Sequence, residues 1–454
     1  MNKKKNYEID MCNGPLLGKI LLFSIPLMLS GILQLLFNAA DIVVVGRFAG
    51  HEALAAVGST GALINLLVNV FIGLSVGTNV MVANYYGAND KERLSQTVHT
   101  AILSSIICGI ALIFIGGLLA KPMLTLMGTP DDVLDQAALY MRIYFAGMPV
   151  IMLYNFGAAI LRAIGDTRRP LYYLLIAGVL NVVLNLYFVI QFHMGVAGVA
   201  LATVISQVVS ATLVLITLMK SDDAIRLDLK KLKIHPSRLR RMIQIGLPAG
   251  MQGAVFSISN MLIQSSINSF GSIVMAGSTA AGNIEGFVYT AMNSFYQTAL
   301  SFTSQNMGAG KYKRVGRILL LCQCCVTVVG LVLGNGAYLF GSQLLSIYSS
   351  DPEVIAYGLI RMSFLCIPYF LCGNMDVMVG SLRGMGYSIM PMLVSLAGAC
   401  GIRVLWIYTI FQMDHTLETL FLSYPISWTI TTCVHLICFV VAYRKLLKTS
   451  ATNA

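Results

Sequence analysis

The stretch RAIGDTRRP, Arg162 to Pro170, returns as RGMGYSIMP, Arg383 to Pro391, with arginine, glycine and proline kept in step. Working outward, Pro26, Gly87-Ala88 and Arg93 recur as Pro248, Gly308-Ala309 and Arg314, a shift of 221 or 222 residues in a chain of 454. Half the chain is therefore a copy of the other half. Each half holds about six apolar stretches long enough to cross a bilayer, because roughly 20 residues at about 1.5 Å rise span the ~30 Å hydrocarbon layer. An even number of crossings returns the chain to its starting side, so the two copies share one orientation and are related by an axis along the membrane normal. The expected fold is an all-α membrane protein of twelve transmembrane helices in two parallel six-helix repeats around a central cavity.

Composition supports lipid as the solvent. A chain that is 57% hydrophobic and 11% charged carries more apolar surface than a soluble core of this size can hide. The expected spans are 20–45, 54–82, 97–120, 134–160, 171–190, 195–219, 242–268, 273–302, 317–343, 354–381, 388–411 and 417–443. The expected lobes are residues 1–219 and 242–454, joined by a cytoplasmic linker, 220–241. The first apolar run is too long for a secretory signal and lacks a cleavage site, so it reads as a retained helix.

Loop charge sets orientation. With both termini cytoplasmic, inward segments collect 25 of the 30 basic residues, Lys3, Lys4 and Lys5 among them. Only Arg47, Lys121, Arg142, Arg361 and Arg403 remain for the outer side or outer halves of helices. The formal charge of +11 is thus an orientation signal of a plasma-membrane protein, and nucleic acid is not an expected partner. Nothing in the sequence calls for an oligomer, so a monomer in the bilayer is expected.

Motifs for chemistry are weak. Gly73 to Gly77 satisfies GxSxG, but inside an apolar helix its glycines read as a GxxxG packing face. Gly308 to Lys311 resembles the end of a phosphate loop, yet its first glycine is replaced by Gln305 and no Ser or Thr follows Lys311. Cys322, Cys324 and Cys325 have no nearby His or acid with which to hold a metal. His99, His193 and His435 form no convergent set. No enzyme and no cofactor are expected, and any transport is powered by an ion gradient or by the solute's own.

The acids inside the spans carry the functional reading: Asp41, Glu285 and Asp376. A carboxylate at a helix centre costs about 2.5 to 3.5 kcal/mol on insertion scales, so a retained one faces a cavity, bears a proton, binds a cation or clamps helices. Gln34, Asn38 and Asp41 lie on one helical stripe; Asn181 and Asn185 share another, and Thr203 reaches the same depth on the sixth span. Such oxygens suit a proton on Asp41, or Na⁺ held by Asp41, Asn181, Asn185 and Thr203, with Asn38 beside them. Pro26, or the nearby Gly31, is the expected weak point of the first helix. Gln34, Glu285, Asp376, Asn155 (the internal counterpart of Asp376) and Tyr289 are candidate solute contacts, with Glu285 supplying negative charge. The abundant Met and aromatic residues fit a cavity that repacks around varied apolar cations.

NAADIVVVGRF, Asn38 to Phe48, followed by the AlaAlaVal run at 55 to 57, resembles the first-helix signature of the multidrug and toxic compound extrusion (MATE) transporters. The turns at Gly87 and Gly308, the Arg-x-x-Gly turns at Arg162 and Arg383, and MGVAGVALATVISQ, Met194 to Gln207, are similar to the family's other landmarks. The likeness implies a twelve-helix antiporter that exports amphipathic, often cationic organic compounds in exchange for H⁺ or Na⁺ by alternating access. It implies that Asp41 is the ion-coupling acid, with Asn181 and Thr203 as polar ligands. Asn185 stands where many members have a second Asp, and the seventh-helix Glu of some members is absent around Phe256 and Ser257. The alternative within the same superfamily is a lipid-linked oligosaccharide flippase.

Overall fold

The computed structural model describes residues 7–221 and 224–452; Lys3, Lys4 and Lys5 lie outside the described residues. Among the described residues twelve long helical segments follow one another in the order the repeat demands. In the first copy they are α1 (Leu16–Phe48), α2 (His51–Gly87), α3 (Lys91–Leu126), the bent α4 (Asp131–Ala146 and Met148–Ala163), α5 (Arg168–Gln191) and α6 (Gly195–Met219). The second copy contributes α7 (Pro236–Asn268), α8 (Ser272–Gly308), α9 (Tyr312–Leu339), the bent α10 (Pro352–Leu365 and Phe370–Gly384), α11 (Ile389–Met413) and α12 (Leu417–Thr452).

The duplication extends to the backbone. Gly50 and Gly271 have φ of 92° and 102°, Gly165 and Gly386 have 98° and 94°, and Asn89 and Gly310 have 55° and 68°. These left-handed positions sit at the same turns of both copies, where glycine or asparagine is tolerated and a branched side chain is not. At Gly165 a Cβ would also lie 2.4 Å from the carbonyl oxygen of Ile9. Both fourth helices break beside a proline: α4 bends by 49° next to Pro149, and α10 by 47° around Pro368. Proline removes a backbone donor and clashes with the preceding turn, so these are the expected places for a kink.

Among the described residues eight helices are long and apolar enough to cross a membrane, and ten when each bent pair counts as one span. The other two, α7 and α8, have ample length at 33 and 37 residues but are too polar for that test. Burial explains α8. Ser294, Thr298 and Ser304 are enclosed and return their hydroxyls to the carbonyls of Ala291, Ser294 and Leu300, so lipid never meets them.

Packing divides the chain into two compact units that do not coincide with lobes 1–219 and 242–454. The first holds residues 1–9 and 29–254, the second 10–28 and 255–454. The chain thus changes unit inside two continuous helices, shortly after Pro26 in α1 and after Pro248 in α7. Glycines make part of this division. In the first unit, a Cβ on Gly73 would lie 2.2 Å from the Gly250 nitrogen and one on Gly77 2.4 Å from the Met242 carbonyl oxygen, so α2 meets the opening half of α7 backbone to backbone. In the second unit, Phe23 of α1 packs edge-on against Phe302 of α8, with ring centroids 5.4 Å apart.

The linker is tied down rather than loose. The His99 ring accepts from the Asp228 amide at 3.1 Å, Thr100 accepts from the His235 amide at 3.1 Å, and Arg238 reaches the Tyr85 hydroxyl at 2.7 Å. Lys311, the residue that mimics a phosphate-loop lysine, instead donates to the Cys12 carbonyl and the Asn13 side chain.

Candidate functional site

In the first unit, α1 is held against α5 by a ring on a glycine. Phe37 lies where any Cβ on Gly178 would intrude, at 1.8 Å, so only glycine lets the two helices approach this closely. One turn beyond Phe37 on α1 comes Asp41, and two turns beyond Gly178 on α5 comes Asn185. Their side chains meet: the Asn185 amide donates to the Asp41 carboxylate. Asn185 also donates to Asn181 Oδ1 at 3.3 Å, and Asn181 donates to Thr203 Oγ1 of α6 at 3.3 Å. Thr203 adds a second polar contact to the Asp41 carboxylate. Tyr140 and Tyr144 on α4, stacked with centroids 6.1 Å apart, lie within electrostatic reach of the same acid.

This cluster joins Asp41, Asn181, Asn185 and Thr203 from three helices. Asn38 and Gln34, one and two turns earlier on α1, are exposed and make no side-chain hydrogen bond among the described residues. Within the cluster one atom is left over: Asn185 is fully buried, yet its Oδ1 has no partner. A buried acceptor without a donor costs about 1 to 3 kcal/mol. It stands on the amide that already contacts the carboxylate. A proton on Asp41, or a cation between the two groups, would give that oxygen a partner. Among the described residues no three His, Cys, Asp or Glu side chains converge on a metal position, so Na⁺ here would rest on one carboxylate and neutral oxygens.

The second unit is built differently. Glu285 of α8 receives both arms of the Arg361 guanidinium, at 3.0 and 2.8 Å, while Arg361 also reaches Ser278 at 2.7 Å. A bidentate pair of this kind neutralises both charges, so Glu285 is not a free carboxylate. Asn155 in the first unit turns its amide onto the Ile151 carbonyl of its own helix, at 2.8 Å. Asp376 on α10 lies beside the Tyr289 hydroxyl. From Tyr289 an aromatic ladder runs inward: Tyr289 and Tyr369 stack at 6.5 Å, Tyr369 and Trp428 at 5.4 Å, and Trp428 meets Tyr424 edge-on at 5.6 Å.

At the inner end of the ladder lies Arg403, 3% exposed, its guanidinium 4.3 Å above the Tyr424 ring and 5.6 Å from that of Trp428. Its Nε donates to Ser427 at 2.9 Å. Among the described residues no carboxylate pairs with it and its terminal nitrogens have no hydrogen-bond partner. Loop charge leaves Arg403 and Arg361 for the outer side or the outer halves of helices; within their helices Arg403 is buried and Arg361 is half-buried. The signal was in the sequence: GIRVLWIY, Gly401 to Tyr408, sets an arginine inside an apolar run with no acid within a helical turn. Two desolvated cation–π contacts at about 2 kcal/mol each leave part of the several kcal/mol needed to desolvate a cation uncompensated.

The family model for MatE matches the chain twice, over residues 26–187 and 248–409. The chain belongs to the MATE family. It is accordingly a membrane transporter of the multidrug and toxic compound extrusion type, with twelve membrane-crossing helices in two repeats, and not an enzyme. Among curated relatives it is 29% identical to the probable multidrug resistance protein YoeA of Bacillus subtilis over 84% of each chain. It is 25% identical to a FAD transporter of Shewanella oneidensis over 75% of this chain and 76% of that one. A solved outward-facing structure of a multidrug resistance MATE transporter superposes with a TM-score of 0.91 at 23% identity, covering 98% of this chain and 100% of the other. At that identity the MATE superposition speaks for the fold.

Proposed function

We propose that this MATE transporter is an antiporter of the plasma membrane, with both termini cytoplasmic, that exports amphipathic organic compounds in exchange for protons entering at Asp41. One observation carries the reading: a carboxylate inside the bilayer region touches a buried amide whose oxygen has no donor. While Asp41 is ionised, the Asn185 N–H group donates to it. When a proton arrives, Asp41 becomes a donor itself, and Asn185 satisfies its orphaned oxygen by turning its amide. The same two residues then form a hydrogen bond of opposite sense, and the contact between α1 and α5 has two alternative states. Through Asn181 the change reaches Thr203 on α6.

Coupling follows if the exported compound and the proton favour different states of this contact, because a ligand with equal affinity for both states moves no population. Pro26 supplies the flexible point on α1, since it leaves one intrahelical hydrogen bond unmade. Sodium is the competing ion. The single carboxylate of the cluster supports the proton more strongly, because a second negative charge is missing at Asn185. The names of the curated relatives support drug or toxin export as the task.

The test is efflux of ethidium from proteoliposomes under imposed gradients of protons or of sodium, one at a time. Proton-driven efflux by the native chain and its loss in Asp41→Asn are expected. Undiminished proton-driven efflux in Asp41→Asn would overturn the assignment.

A further inference from the structure

We infer that Arg403, with the rings of Tyr424 and Trp428, forms a subsite in the second repeat for the anionic group of a planar aromatic solute. The inference rests on the export reading, to whose amphipathic substrates it adds aromatic anions and zwitterions.

The repeat itself points to Arg403. The two family matches start and end at a shift of 222, and at that shift Arg403 falls on Asn181, Ile263 on Asp41 and Ile407 on Asn185. Pro170 and Pro391, earlier in the same helices, differ by 221. The extra residue is absorbed by the π-helical turn Leu396–Gly401, immediately before Arg403, and such single-residue insertions recur at functional sites. Where the first repeat gathers an acid and two amides, the second has two isoleucines and a cation. The two equivalent places in the repeats therefore differ in charge.

The surroundings fit a ligand more closely than they fit a core clasp. A guanidinium offers five N–H donors in a plane, and Arg403 spends one of them on Ser427. The remaining fork matches a carboxylate or phosphate in two parallel hydrogen bonds. Arg361, in the same unit, shows what a structural pairing looks like here: a carboxylate fills its fork and Ser278 takes a further donor. Around Arg403 that place is taken by aromatic faces. Asp376 lies beside Tyr289 at the far end of the ladder, so repulsion directs an anionic group toward Arg403 and leaves the ring system along Tyr369 and Trp428.

The subsite is tested by calorimetric binding to the full chain in phosphatidylcholine nanodiscs without any gradient, so that the outcome is independent of Asp41 coupling. The probes are 1-naphthyl phosphate, neutral 1-naphthol and 1-naphthylmethylammonium. The phosphate is expected to bind about tenfold more tightly than the naphthol, with the ammonium weakest. Arg403→Gln should erase that preference and Arg403→Lys, a point charge without the fork, should keep only part of it. If Arg403→Gln fails to fold, Arg403→Lys carries the test. Equal binding of phosphate and naphthol by the native chain, or phosphate binding unchanged in the arginine variants, overturns the proposal and returns Arg403 to a core clasp. Adding phosphatidylglycerol to the discs separates the sources of the anion: competition with 1-naphthyl phosphate assigns the subsite to a lipid headgroup, and its absence to a free solute.

Discussion

Under the proposed proton coupling, ion choice turns on Asn185. It contributes one neutral amide to a cluster with a single carboxylate. Asn185→Asp would add a second negative charge a hydrogen bond away from the first, and a dehydrated cation is held better by two carboxylates than by one. The expected outcome is sodium-stimulated ethidium efflux that the native chain lacks, measured with an imposed sodium gradient at constant pH. Asp10 gives a pH-dependent example outside the spans. Partial burial pushes its carboxyl up, but hydrogen bonds from the Asn13 side chain and the Cys12 and Asn13 amides, with the charge of Lys19, outweigh burial and hold it below the usual 3.8. A depressed carboxyl stabilises the fold above its unfolded value, and that contribution is lost as pH falls through the lower folded value. Protection of the Cys12 and Asn13 amides, the ratio of intrinsic to observed exchange rate at each pH, should therefore be full at neutral pH and fall only below about pH 4, while Asp10→Asn flattens this dependence.

Whole helices are placed by small residues that nothing else can replace. Gly178 lets Phe37 lie on α5, and this contact sets the level at which Asp41 meets Asn185. Gly178→Ala puts a methyl group into the ring, and overpacking of this sort costs about 1 to 3 kcal/mol. A lower melting temperature and weaker proton-driven efflux are expected together, and Phe37→Leu in the same chain should recover part of both, as the cycle for two touching residues requires. The GxxxG reading of Gly73 and Gly77 was open to sequence inspection, but not its partner. Their neighbours, Gly246 and Gly250, lie more than 160 positions away and belong to the other copy of the repeat. Polarity misleads at the same scale. By hydropathy α8 fails as a membrane crossing, yet its hydroxyls are enclosed and bonded to its own backbone, which no window average records.

For the molecule as a whole, the informative feature is that the packing units are not the repeats. Each unit takes the opening half of a helix from the other copy, and the crossing points follow Pro26 and Pro248. A proline leaves its helix one hydrogen bond short and so bends at lower cost than an unbroken turn. Pro248→Ala restores that bond, and it should slow proton-driven efflux while leaving equilibrium binding of ethidium unchanged; slowed efflux with equally weakened binding would place the effect in the solute site instead. By itself the sequence determined the duplication, the twelve apolar or near-apolar segments, the family and the acid at Asp41, because these depend on periodicity, composition and local motif. Only the tertiary structure decided that Glu285 is spent on Arg361, that Asn38 makes no side-chain hydrogen bond and buried Arg403 no carboxylate pair among the described residues, and where the units divide. Those facts depend on which side chains from distant parts of the chain arrive at the same point, and a buried charge shows its meaning only when its partners, or their absence, are in view.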